Sequence, residues 1–78
     1  MADFKRTSGM RPIENGLVDY LADGIIIRNG EEIPCEIGYT AWVSGWGGIH
    51  EEIEATHIFI KDGITESGNH YCAETIEL

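Results

Sequence analysis

The chain predicts a mainly β protein, with α+β left open: a small single antiparallel sheet or barrel of about five to six short strands, with room for one short helix. Three observations carry that expectation. Four Asx-Gly dipeptides, Asn15-Gly16, Asp23-Gly24, Asn29-Gly30 and Asp62-Gly63, punctuate a sequence of only 78 residues. Each has the composition of a two-residue type I′ hairpin turn, whose central residues both need positive φ. Between them lie short runs that alternate apolar with polar side chains, the mark of a strand wet on one side. No repeat and no low-complexity tract interrupts the pattern.

The first eleven residues are polar and aperiodic, which predicts a flexible basic arm over residues 1–11 ahead of a single small acidic domain over residues 12–78. Leu17 to Ala22, Ile25 to Arg28 and Glu31 to Gly38 then read as a three-strand meander joined by Asp23-Gly24 and Asn29-Gly30. In the second hairpin Arg28 is expected opposite Glu31, and Ile26 opposite Ile33. Pro12, Ile13, Leu17 and Leu21 also fit a short helix ending at Gly24, but Gly16 inside it costs about 1 kcal/mol relative to alanine, so the strand is the better fit.

The third strand alternates most cleanly. Ile33, Cys35, Ile37 and Tyr39 share one face, and Glu32, Pro34 and Glu36 the other. Pro34 cannot donate to a ladder, so this strand is either an edge or turns that position away from the pairing. Residues 40–54 admit two readings, because Ile49, Ile53 and the run His50-Glu51-Glu52 could open a helix once the glycines end. From Ile53 onward, Ala55, His57 and Phe59 alternate with Thr56, Ile58 and Ile60. A turn is expected at Asp62-Gly63, then Ile64 to Glu66 pairing back, then a turn at Ser67-Gly68-Asn69. His70 to Leu78 closes the sheet, with Cys72, Glu74, Ile76 and Leu78 on one side.

Charge is the strongest functional signal. After Arg11, thirteen acidic side chains face two basic ones, Arg28 and Lys61, for a net of −11; the first eleven residues carry +2, giving −9 overall. Repulsion on this scale costs stability, so it either keeps the chain soluble or complements a basic partner. Nucleic acid is disfavoured as a direct partner for the same reason. The longest apolar run, Ile25 to Ile27, falls far short of the roughly twenty residues of a membrane span, so no membrane partner is expected. The bases at the N-terminus lack the apolar stretch of a secretory signal, which predicts a cytoplasmic protein, or one in the host cytoplasm if phage-encoded. Cys35 and Cys72 permit one disulfide in an oxidising compartment and are otherwise reduced thiols.

Chemistry-bearing patterns are weak. Cys35, His57, His70 and Cys72 would make a Cys2His2 set, but neither cysteine lies in a C-x2-4-C pair and no H-x3-5-H occurs. His50-Glu51-Glu52-Ile53-Glu54 is half of a metalloprotease helix with Glu54 in place of the second histidine. Ser44-Gly45 lacks the first glycine of a nucleophile elbow. A non-enzymatic chain without metal or cofactor is therefore expected.

What remains is a surface. Glu32 and Glu36 point to one side of the third strand, and Glu52 and Glu54, with Glu51 beside them, are expected to extend a similar acidic side. Tyr39 to Gly48 adds Trp42 and Trp46 on a glycine-rich stretch, where tryptophan serves either as a binding anchor or as a cap on a thin core. The leading expectation is a small acidic protein that binds another protein at a basic site, as an inhibitor or nucleic-acid mimic of the phage or mobile-element kind. Its partner could be a nucleic-acid enzyme. The alternative is a structural module that forms a homo-oligomer through edge strands and the Trp loop.

Overall fold

The computed structural model describes residues 3–14, 16–45 and 50–78, with the side chains of Ser44 and His50 left aside. Eight strands form: β1 (Asp3–Arg6), β2 (Arg11–Pro12), β3 (Tyr20–Arg28), β4 (Glu31–Ser44), β5 (His50–Ile60), β6 (Gly63–Ile64), β7 (His70–Tyr71) and β8 (Glu74–Glu77). Six make one antiparallel sheet in the order β1-β3-β4-β5-β8, with β2 also on β3, while β6 and β7 pair as a separate hairpin. The sheet is open rather than a closed barrel, and no helix occurs among the described residues.

Asn29-Gly30 turns as expected, with φ of 51° and 78° and the register Arg28↔Glu31 and Ile26↔Ile33. Asp23-Gly24 does not turn. Both residues lie inside β3, opposite Glu36 and Cys35, so the two short strands of the expected meander are one strand of 9 residues. The glycine serves close packing instead. A Cβ at Gly24 would sit 2.6 Å from Ile37 Cδ1 and 2.6 Å from the Lys5 carbonyl oxygen. Asp62-Gly63 is corrected in the same way, since Gly63 begins β6 and the Tyr71 ring lies against it. The reversal falls at Thr65 to Asn69, where the Gly68 amide donates to the Thr65 carbonyl and Thr65 to Asn69. Ile64 therefore pairs with His70 rather than returning to β5, and the last strand breaks at Cys72-Ala73 before β8 joins β5.

Residues 3–6, expected in a loose arm, form β1 on β3. Phe4 is the reason. It packs against the core cluster from the position opposite Ile26, and Arg6 lies 5.9 Å over the Tyr39 ring. The helix considered for residues 40–54 is likewise replaced by strand in Thr40 to Ser44 and His50 to Glu54.

The core follows the alternation of β4. Ile26, Ile33, Cys35, Ile37, Ile58 and Ile60 form the buried cluster, and Ile37 pairs with Ile58. Pro34 lies opposite Ile25. Counting from the closing pair Arg28–Glu31, that is a non-hydrogen-bonded position, so the missing N–H points away from β3. On that side the β5 ladder begins only at Glu36↔Phe59. The β6–β7 hairpin packs Tyr71 against the cluster. Glu31 fastens its turn, accepting from Ser67 Oγ at 2.5 Å and Asn69 Nδ2 at 3.2 Å, while Arg28 pairs with Glu74 of β8.

Candidate functional site

β4 and β5 outrun their neighbours. β3 begins at Tyr20, opposite Tyr39, and β8 pairs with β5 only from His57 onward. Beyond those rungs Thr40–Ser44 and His50–Glu54 continue as a two-stranded arm, in a molecule 52 Å long and 22 by 20 Å across. Trp42, Val43 and Ile53 are exposed there. A two-stranded ribbon is marginal in water by itself, so the arm depends on the sheet at its root.

A β-bulge determines what each face of the arm carries. Gly38 pairs with His57 and Tyr39 with Ala55, so Thr56 is an extra residue on β5. Its hydroxyl bonds to Thr40 Oγ1 at 2.8 Å and to His57 Nδ1 at 2.9 Å. Strict alternation through β5 would put Glu52 and Glu54 on the side of Ile58 and Ile60. The bulge shifts the parity by one. Glu54 thus falls opposite Thr40 and Glu52 opposite Trp42, while Ile53 and Ala55 take the core side opposite Ala41 and Tyr39.

Glu32, Glu36, Trp42, Glu52 and Glu54 consequently share one face of the sheet, the side away from the Ile37 cluster. From Glu32 to Trp42 the row spans about 33 Å at the usual rise per residue. Glu51 pairs with Val43 and lies on the opposite face. Trp46 lies outside the described residues. Trp42, at 38% exposure, is no core side chain.

The acids are not equivalent. Glu36 accepts from Arg11 at 2.9 Å, and Arg11 also lies 3.5 Å from Asp23, so one cation is shared by two carboxylates and offsets part of the charge on this side of the face. Glu32, Glu52 and Glu54 are exposed. Glu31, expected only as the residue opposite Arg28 and not as part of the acidic surface, is a second engaged acid. Hydrogen bonds from Ser67 first, then Thr65 and Asn69, hold its carboxyl below the ordinary value of 4.5 against an opposing desolvation. A carboxylate one position from Glu32 but on the other face carries no sequence signal except that alternation.

Among the described residues no group of three or more His, Cys, Asp or Glu side chains is placed to hold a metal ion. Cys35 is buried and Cys72 exposed, and both are free. Burial first, and the neighbouring Glu36 second, push the Cys35 thiol up, which is the reverse of what a nucleophile needs. His50-Glu51-Glu52 runs in a strand, where residues i and i+4 stand about 13 Å apart instead of one helical turn apart as a metalloprotease site needs. His57 stacks parallel on Phe59 at 6.0 Å, with Nε2 3.9 Å from the exposed Glu77 carboxylate. No described helix is long and apolar enough to cross a membrane. The chain matches no family model, no characterised protein and no solved structure.

Proposed function

We propose that this chain is a small, non-enzymatic protein-binding protein whose acidic face engages a basic site on a partner. The exposed indole of Trp42, opposite Glu52 and on the same face as Glu54, is the observation that carries the reading. An aromatic anchor beside carboxylates on a projecting arm suits a surface rich in Lys and Arg, because the carboxylates steer the approach and the ring supplies the contact area. Occupation of the basic groove of a nucleic-acid enzyme, as an inhibitor that stands in for the phosphates, is the form of this function that size and charge favour. A phage or mobile-element origin, with action in a host cytoplasm, belongs to the same proposal and rests on size and charge alone. Open edges on β1, on β8 and along the arm favour a second reading, a homo-oligomer joined through strands, but a net charge of −9 on each copy opposes it.

Capture from a lysate at low and high salt, with mass spectrometry of what elutes, identifies the partner. Replacing Glu32, Glu36, Glu52 and Glu54 together with glutamine is expected to abolish that binding with the fold intact. Trp42→Ala should weaken it by about 2 kcal/mol, the scale of an interface anchor. Because Arg11 already pairs with Glu36, restoring that glutamate alone should recover less than restoring Glu52 and Glu54. Unchanged binding by the fourfold variant at low salt refutes the proposal, and a stable oligomer in sedimentation favours the second reading.

A further inference from the structure

The two edges of the arm differ. Along β4 the Ala41 amide donates to Asp19 Oδ2 at 2.9 Å, and the Asp19 amide to the Tyr39 carbonyl at 2.9 Å, so the Asp19 segment covers that edge at its root. The same contacts orient the ladder. Because the Ala41 N–H points away from β5, the pair Ala41–Ile53 is a non-hydrogen-bonded one, and Ile53 turns its own N–H and C=O away from β4. Alternation gives Glu51 and Ala55 the same orientation. On that side the β8 ladder stops at His57↔Glu77, and beyond it the Leu78 amide reaches only the Thr56 carbonyl. Glu51, Ile53 and Ala55 thus present three amides and three carbonyls along an edge that no described strand covers.

We infer that this edge of β5 accepts an extended basic segment of a partner protein by β-strand addition, a geometry that deepens the reading above and rests on it. Charge complementarity selects the occupant. An antiparallel strand, matching every other pair in the sheet, would place two of its side chains opposite Glu52 and Glu54 and the one between them opposite Ile53. Opposed side chains there approach to about 5 Å, where opposite charges and apolar pairs stabilise and like charges repel. The recognised pattern is therefore two Lys or Arg residues flanking one apolar residue. The residue facing Ile53 forms the hydrogen-bonded pair, so its own N–H is the one committed to the ladder.

The test is a titration of the protein, followed by NMR at 0.01 M salt, with a blocked peptide alternating lysine and valine. Binding should protect the amides of Glu51, Ile53 and Ala55 from exchange. N-methylation of the valines should weaken it at least about tenfold, since each lost backbone bond is worth a several-fold factor, whereas N-methylation of the lysines should leave it nearly unchanged. Ile53→Pro should weaken it to the same degree without disturbing the β4 ladder, because the lost N–H faces the open edge. If Ile53→Pro and the valine-methylated peptide bind as the parents do while the Glu52→Gln, Glu54→Gln variant does not, the edge site is refuted and the acidic-surface reading stands. Failure of the peptide to bind also refutes the edge site. Protection of the same amides in a free dimer shows that a second copy holds the edge and overturns the inference.

Discussion

Gly24→Ala tests the packing account of the sheet. The added methyl would lie 2.6 Å from two atoms of different kinds, the Cδ1 of Ile37 and the carbonyl oxygen of Lys5. Ile37 can rotate, but it is fully buried and pairs with Ile58 at the centre of the cluster, so its movement displaces other core side chains. The Lys5 carbonyl belongs to backbone, and shifting it pulls β1 from β3. Overpacking of a dense core costs about 1–3 kcal/mol, and the restricted unfolded chain returns about 0.4–1 kcal/mol of that. A net loss near 1 kcal/mol corresponds to a melting temperature about 4–8 °C lower for a domain of this size. Gly9→Ala is the control, with nothing within 4 Å of the new methyl and no positive φ; it should leave the melting temperature unchanged or slightly raised. Thermal melts by circular dichroism compare the two. A Gly24→Ala protein as stable as Gly9→Ala would mean that β1 does not press on β3 there, and the packing role assigned to this glycine would fail.

Two further outcomes follow from the side chains around the core. The folded-state carboxyl of Glu31 lies below 4.5, so the stability it lends the β6–β7 turn is complete above the unfolded value and disappears as pH falls through the folded one. Protection of the Gly68 and Asn69 amides, taken relative to their intrinsic exchange rates, should fall as pH drops through the folded-state titration of Glu31 in the parent and should be lost already at neutral pH in Glu31→Ala; a pH-independent protection factor in the parent refutes the tie. Thiol labelling should consume one equivalent quickly at the exposed Cys72 and the second, at the buried Cys35, only on unfolding. Two equally fast thiols would contradict the buried position of Cys35.

The extent to which this fold was legible follows its periodicities. The strand expected over Glu31 to Gly38 lies within β4, legible because Ile33, Cys35 and Ile37 are buried on one face and leave a strict two-residue pattern; its continuation to Ser44 was not legible, because Trp42 and Val43 are exposed. Asn29-Gly30 was legible because its turn closes on itself. Asp23-Gly24 and Asp62-Gly63 have the same kind of composition but answer to side chains distant in sequence, Ile37 in one case and Tyr71 in the other. Phe4 illustrates the same limit, one apolar residue among polar ones that gains its meaning from Ile26. At the candidate site, the grouping of Glu32, Glu36, Glu52 and Glu54 was anticipated, yet their common face depends on a bulge at Thr56 that alternation alone would have missed. Arg11 and Glu31, which decide which acids are engaged, act through partners 25 and 36 residues away.

The charge of the arm bears on both readings of the chain through a single physical effect. An exposed strand edge templates association with any other strand, and carboxylates along it discourage the commonest partner, a second copy with the same charges. The repulsion is selective. Glu52 and Glu54 penalise an acidic or purely apolar strand that would desolvate them, and they reward one that brings cations to the same rungs. A charge pattern that prevents self-pairing is thus also a filter for basic segments, and the two roles separate only by magnitude. If the carboxylates served solubility alone, Glu52→Gln with Glu54→Gln should promote dimers without reducing affinity for the alternating lysine–valine peptide. If they select a partner, the same variant loses the peptide. Sedimentation and peptide titration on that variant therefore decide whether the carboxylates only protect or also select, and Ile53→Pro decides whether the selection is made at the edge.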